Sequence, residues 1–175
     1  MTSDLRSAVR TVPDFPKPGI MFRDITTLLK DPAMFHEAVD ALVAHYQGQK
    51  YDIVAGIESR GFILGAPLAY RLGIGFVPIR KPGKLPAPVT RQEYSLEYGT
   101  DAIEVHNDAI HPGMKVLLHD DLLATGGTIL AACTLIERLG GSVAGISFLI
   151  ELDFLKGRNR LAGREIFSLI RYATE

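Results

Sequence analysis

Hydrophobic and polar positions alternate along this chain at two different periods, and the periods predict its elements. Residues 33–46 set Phe35, Ala38, Val39, Leu42, Val43 and Tyr46 at helical spacing, one apolar stripe on a helix. A short helix is also predicted over 5–12, followed by a loop over 13–24 crowded with proline and glycine. The unbroken run "DIVAGI" (52–57) predicts a strand buried on both faces. Residues 59–73 read as a helix closed by Gly73, with Pro67 either kinking it or lying near its true start. A strand over 75–80 is weakened by Pro78. In 92–105, Tyr94, Leu96 and Tyr98 alternate with Glu93, Ser95 and Glu97, predicting an antiparallel ribbon that turns near Gly99-Thr100-Asp101. Further strands fall at 115–120, 142–152 and 165–172. Between the first two lies a helix over 128–139, with Ile129, Cys133, Ile136 and Leu139 on one face.

Strands and helices in alternation predict one α/β domain with a mostly parallel sheet flanked by helices. Ligands of such sheets bind beyond the carboxyl ends of the strands. That rim contains Glu58-Ser59-Arg60, Arg80-Lys81, and the stretch from Asp120 to Thr128.

Composition removes several alternatives. With 175 residues, 47% of them hydrophobic, the chain can bury a sizeable core. A formal net charge of -1 supplies no field to recruit nucleic acid or an anionic membrane. Apolar runs are too short to span a bilayer, and the first residues carry an acid and no apolar signal core. A single cysteine, Cys133, fits a reducing compartment. A cytoplasmic protein with small-molecule partners is expected.

The stretch "HDDLLATGGT" (119–128) holds the densest chemistry. A helix start presents amide N–H groups without partners and a partial positive charge. Gly126 and Gly127 let a backbone wrap an anion there, and Thr125 and Thr128 add hydroxyls. The same sequence also suits an ordinary strand–loop–helix turn capped by Thr125 or Thr128. No lysine follows the glycines, so this is not a Walker loop. Asp120 and Asp121 would repel phosphate, but they suit the hydroxyls of a ribose and positive charge growing at its anomeric carbon. The two halves together read as a site for a ribose 5-phosphate.

"VLLHDDLLATGGT" resembles the phosphoribosyl pyrophosphate (PRPP) motif of type I phosphoribosyltransferases. "PDFPKPGIMFRDIT" (13–26), "GIESRGFILGAPLA" (56–69), "IRKPGKLP" (79–86) and "YSLEYG" (94–99) are similar, in order and spacing, to the adenine branch of that family. The resemblance covers nearly the whole chain. It implies transfer of ribose 5-phosphate from PRPP to N9 of adenine, giving AMP and pyrophosphate, with Mg²⁺ held through substrate phosphates and no dedicated protein cage. It further implies a single domain with an N-terminal hood over about 1–30, a mobile lid over about 81–100, and a homodimer. By position, Asp120 and Asp121 would hold the ribose hydroxyls, and Ala124, Thr125, Gly126, Gly127 and Thr128 the 5′-phosphate. Ser59, Arg60, Arg80, Lys81 and Lys84 would face pyrophosphate, with a cis peptide before Ser59. Phe22 would stack on adenine, Met21 and Arg23 would read its edge through their backbones, and Leu122 would cover the other face. Glu97 would act near N7 of the base, and Arg60 and the acid pair are counted with it as catalytic.

His119 departs from the apolar residue usual in the resembled motif and is expected to be a hydrogen-bonded core histidine. Cys133 is expected in the core. The remaining histidines show no metal-ligand spacing. A second function class, a catalytically silent PRPP-sensing regulator, would need a basic nucleic-acid module that the sequence lacks. A related enzyme with another acceptor base is the nearer rival.

Overall fold

A computed structural model describes residues 4–95 and 99–175. The elements are β1 (Arg10–Val12), β2 (Phe22–Asp24), α1 (Thr26–Leu29), α2 (Pro32–Tyr46), β3 (Ile53–Ile57), α3 (Arg60–Leu72) and β4 (Gly75–Ile79). These are followed by β5 (Val89–Ser95), β6 (Thr100–His106), β7 (Lys115–Leu123), α4 (Gly127–Arg138), β8 (Ser142–Leu152) and β9 (Ile166–Tyr172). Five strands form a parallel sheet in the order β4-β3-β7-β8-β9, while β1-β2 and β5-β6 are separate antiparallel ribbons.

Both sheet faces are covered, which explains why its strands read as continuous apolar runs. On one face Val54, Leu117 and Leu149 pack with Leu42, Tyr46, Leu64 and Leu68 of α2 and α3. On the other, Ala55, Leu118 and Phe148 pack with Ile129, Cys133 and Ile136 of α4 and with Ile103 and Val105 of β6. Cys133 is fully buried and its thiol is pushed up to about 11 by that burial, as expected of a core residue. Helix α2 begins on Asp31, whose carboxylate accepts from the amides of Ala33 and Met34, and it has proline in its first turn. Gly73 closes α3 at φ 71°, as its position suggested.

Some elements differ from the pattern. No helix spans 5–12: residues 5–8 form turns that bury Leu5 and Val9, and β1 then pairs with β2, whose residues end the expected loop. A ladder and the Arg10–Asp24 ion pair favour strand there. Helix α3 runs through Pro67, which deprives only the carbonyl of Ile63, a residue on the exposed side. Pro78 is tolerated because β4 is an edge strand. Thr100 pairs with Ser95, so Thr100 and Asp101 belong to a strand and not to the turn. Most consequential for the site, β7 extends three residues past Asp120, because the long β8 supplies partners out to Leu123 and Glu151. The acid pair therefore sits within a strand and not beyond it.

Candidate active site

Three strand ends and two loops converge at the carboxyl rim of the sheet. Burial and the charge of Asp121 raise the Asp120 carboxyl well above the usual range, although the Asp121 amide donates to Asp120 Oδ1 at 2.8 Å. Burial also raises Asp121, opposed by the Arg60 guanidinium, whose Nε lies 3.0 Å from Asp121 Oδ2. This ion pair lacks hydrogen-bond geometry, and Asp121 Oδ2 is otherwise buried without a partner. Two like charges forced together in a partly dry site hold a proton unusually well. Gly61 lets α3 come this close: a Cβ there would lie 3.0 Å from the His119 carbonyl and 3.1 Å from Asp120 Oδ1.

After β7 the chain turns through Ala124 and Thr125 into α4. Gly126 is the N-cap, at φ 84°, and no side chain caps the helix. The competing reading of Thr125 or Thr128 as a cap is thereby set aside. The first amides of α4 have no side-chain acceptor and line a small pocket with Asp120, Leu122, Thr125 and Thr128.

Arg60 connects this acid pair to a second region. Its guanidinium lies 5.4 Å from the Phe22 ring centre, within cation–π range. Phe22 meets Phe15 edge-on at 5.1 Å. Val12, Phe15, Phe22, Ile25, Thr26 and Arg60 line an apolar pocket of about 390 Å³. Met21 is exposed beside it. The Arg23 side chain turns away, to Thr11 and to the face of Tyr172 4.1 Å off, and Arg23 is not among the pocket's lining residues. Leu122 lines the pocket at the start of α4 and is not among this pocket's lining residues.

The expected cations are present, but two of them carry partners that the sequence pattern missed. Arg80 Nη2 donates to Glu58 Oε1 at 3.2 Å, and the Lys81 amide donates to Glu58 Oε2 at 2.5 Å. Burial would raise Glu58, but these contacts outweigh it and hold the carboxyl below its ordinary value. The Lys81 ammonium donates to Asp101 and, at 3.1 Å, to the Tyr94 hydroxyl. Although burial opposes it, Asp101 and Tyr94 push the ammonium's pKa up. Backbone bonds between Arg80 and Glu104 at 2.8 and 2.7 Å tie the β5-β6 ribbon to the end of β4. Lys84 and Ser59 are exposed, and the Glu58–Ser59 peptide is cis as expected. Glu97 lies outside the described residues. Glu58 carried one readable signal, its place at a strand's carboxyl end; Asp101 was hidden by its assignment to a turn.

His119 is fully buried behind the acid pair. Its Nδ1 lies 3.0 Å from Ser147 Oγ, while Nε2 has no partner, and burial pushes the ring's pKa down to about 3. It is therefore a neutral core residue, as expected.

The chain matches the phosphoribosyl transferase domain family over residues 24–165. It is 62% identical to an adenine phosphoribosyltransferase of Chloroflexus aurantiacus, over 97% of this chain and 98% of that protein. The adenine phosphoribosyltransferase of Thermoanaerobacter pseudethanolicus superposes with a TM-score of 0.95 at 53% identity, covering 98% of this chain and 100% of the other. The Saccharomyces cerevisiae enzyme, solved with an imino-altritol bisphosphate and adenine, superposes at 0.91 with 40% identity, covering 96% and 97%.

Proposed function

The chain belongs to the adenine phosphoribosyltransferase family and converts PRPP and adenine to AMP and pyrophosphate, and we propose that the sheet rim does this through the residues described above. One observation carries the assignment: Arg60 bridges Asp121 of a half-buried acid pair to an aromatic pocket, beside an uncapped helix start. Those three surroundings match the ribose, the base and the 5′-phosphate of one product.

Phe22 offers its ring to adenine, with the backbones of Met21 and Arg23 at the base edge. Leu122 covers the other face of the base, from the side of the 124–128 loop. Asp120 and Asp121 accept from the ribose hydroxyls and stabilise positive charge at the anomeric carbon as the bond to pyrophosphate stretches. Amides of Gly126 to Thr128, with the hydroxyls of Thr125 and Thr128, hold the 5′-phosphate. Ser59, Arg60, Arg80, Lys81 and Lys84 meet the leaving pyrophosphate. Glu97 exchanges a proton on the imidazole side of the base.

No cluster of three or more His, Cys, Asp or Glu side chains able to hold a metal exists among the described residues. The acid pair, with Asp120 lining the loop pocket and Asp121 Oδ2 met by the Arg60 guanidinium at 3.0 Å, fits a cation that brings most of its ligands from substrate oxygens and water. Mg²⁺ bound this way supplies charge neutralisation on the pyrophosphate. The N-terminal segment to about residue 30 serves as hood, and residues 81–100 serve as lid. The exposed Ile63 and Tyr70 of α3 offer apolar surface for a homodimer, and the single buried thiol suits the cytoplasm. No helix of the described residues is long and apolar enough to cross a membrane.

The test is turnover with PRPP, Mg²⁺ and one nucleobase at a time. AMP should form with adenine. Product from hypoxanthine or guanine, with none from adenine, would overturn the assignment of the base pocket.

A further inference from the structure

The 5′-phosphate carries about two negative charges near neutral pH, yet residues 124–128 contain no basic side chain. A helix start contributes only about half a positive charge. The deficit directs attention to what packs against the loop. The 3-10 segment Gly157–Leu161 lies directly beneath it. A Cβ on Gly126 would stand 2.7 Å from the Gly157 carbonyl oxygen, and one on Gly157 would stand 2.2 Å from the carbonyl oxygen of Ala124. Backbones this close leave no room for a side chain between them, so the segment and the loop are held in fixed register.

Two arginines on that segment have different surroundings. Arg158 is committed to the fold: it forks onto Glu151 at 2.5 and 2.8 Å, and Ser168 donates to the same carboxylate at 2.6 Å. Arg160 points the other way. Its Cβ would be 3.5 Å from a Cβ on Gly126, and its Nη1 would be 3.7 Å from one on Gly127, in the first turn of α4. The same spot is bounded by the Ser95 carbonyl and the Tyr94 ring, the end of the β5-β6 ribbon. Arg160 is exposed, and no carboxylate pairs with it among the described residues.

We propose that Arg160 is a phosphate-binding residue, placing its guanidinium against the 5′-phosphate held at the start of α4. The glycines at 126, 127 and 157 bring it there, and Arg158 anchors the segment that carries it. Guanidinium and phosphate match as a planar donor fork and a tetrahedral acceptor. The contact is made by substrate and product alike, so it contributes to binding and not to the bond-breaking step.

This inference rests on residues 124–128 holding the 5′-phosphate, and the experiment separates the two claims. Dissociation constants for AMP and adenosine, which differ only in that phosphate, are measured for the wild type, Arg160→Ala and Arg160→Lys by calorimetry. Wild type should prefer AMP strongly; if it does not, the reading of the loop fails and Arg160 falls with it. Given that preference, Arg160→Ala should weaken AMP about tenfold, roughly 1.4 kcal/mol, and leave adenosine within about twofold. Arg160→Lys, which restores the charge but not the planar fork, should recover part of the loss, which a merely structural role would not predict. Equal weakening of both ligands, or of neither, while wild type still prefers AMP, overturns the role of Arg160 and leaves the loop intact.

Discussion

Replacing His119 by leucine should make the protein more resistant to mild acid. The ring titrates near 6.5 when exposed to water, but burial in the fold holds it down to about 3. The sign follows from proton counting: between these values the unfolded chain binds a proton that the folded one refuses, so stability rises with pH. The contribution is intact above about pH 6.5 and is lost as pH falls toward 3. Evaluating the linkage at pH 7 and at pH 5 gives a difference of about 2 kcal/mol. Leucine has no such proton and fills a comparable volume. It also removes the unpartnered Nε2 while losing the Ser147 contact, so stability at pH 7 should change by no more than about 1 kcal/mol. Urea unfolding of wild type and His119→Leu at both pH values is the assay. Wild type should lose about 2 kcal/mol more than the variant between pH 7 and pH 5. The buried acid pair is common to both proteins and largely cancels in the comparison. Losses agreeing within about 0.5 kcal/mol would refute the claim that this ring stays neutral because it is buried.

Arg60→Gln removes the cation that opposes the desolvation of Asp121. We expect kcat/KM to fall about 100-fold and the acid limb of its pH profile to move to higher pH, checked by steady-state kinetics; an unmoved limb would separate Arg60 from the acid pair. Gly126→Ala forces a side chain into φ 84° and against the Gly157 carbonyl. It should cost about 1–3 kcal/mol in urea unfolding and raise the KM for PRPP, whereas a neutral result would contradict the packing of the loop. Glu97→Gln should lower kcat about 100-fold while changing PRPP affinity by less than about threefold, and an unchanged kcat would remove Glu97 from the reaction.

The legible parts of the fold were those whose signal is local. The stripe from Phe35 to Tyr46 announces α2 because its own neighbours complete it, and the glycine at 73 announces the end of α3. Segment 10–12 was misread because its partner, 22–24, lies across a proline-rich loop, and only pairing makes it a strand. Strand β7 was cut short at the acids because carboxylates break an apolar pattern, although burial against β8 carries the strand through them. At the site, the residue types at 59–60, 120–121 and 124–128 were readable since each chemistry is written in adjacent positions. The carboxylates opposite the cations were not. Arg80 meets Glu58 across 22 residues, and Lys81 meets Asp101 across 20, separations at which spacing carries no information. Leu122, grouped with the base by position, lines the pocket formed by residues 122–129, a neighbourhood its place in the sequence already gives.

The paired cations make the rim behave as an ion exchanger. Arg60, Arg80 and Lys81 hold Asp121, Glu58 and Asp101, and under the roles proposed above an arriving pyrophosphate group would have to take the place of carboxylates already in hand. Its affinity is then a difference between two sets of ion pairs, smaller than either set alone. The displaced carboxylates stay tethered within reach and recapture the cations when the leaving group departs. Product release would thus be assisted by the same acids that make entry competitive, and a bare cluster of arginine and lysine would retain its pyrophosphate longer.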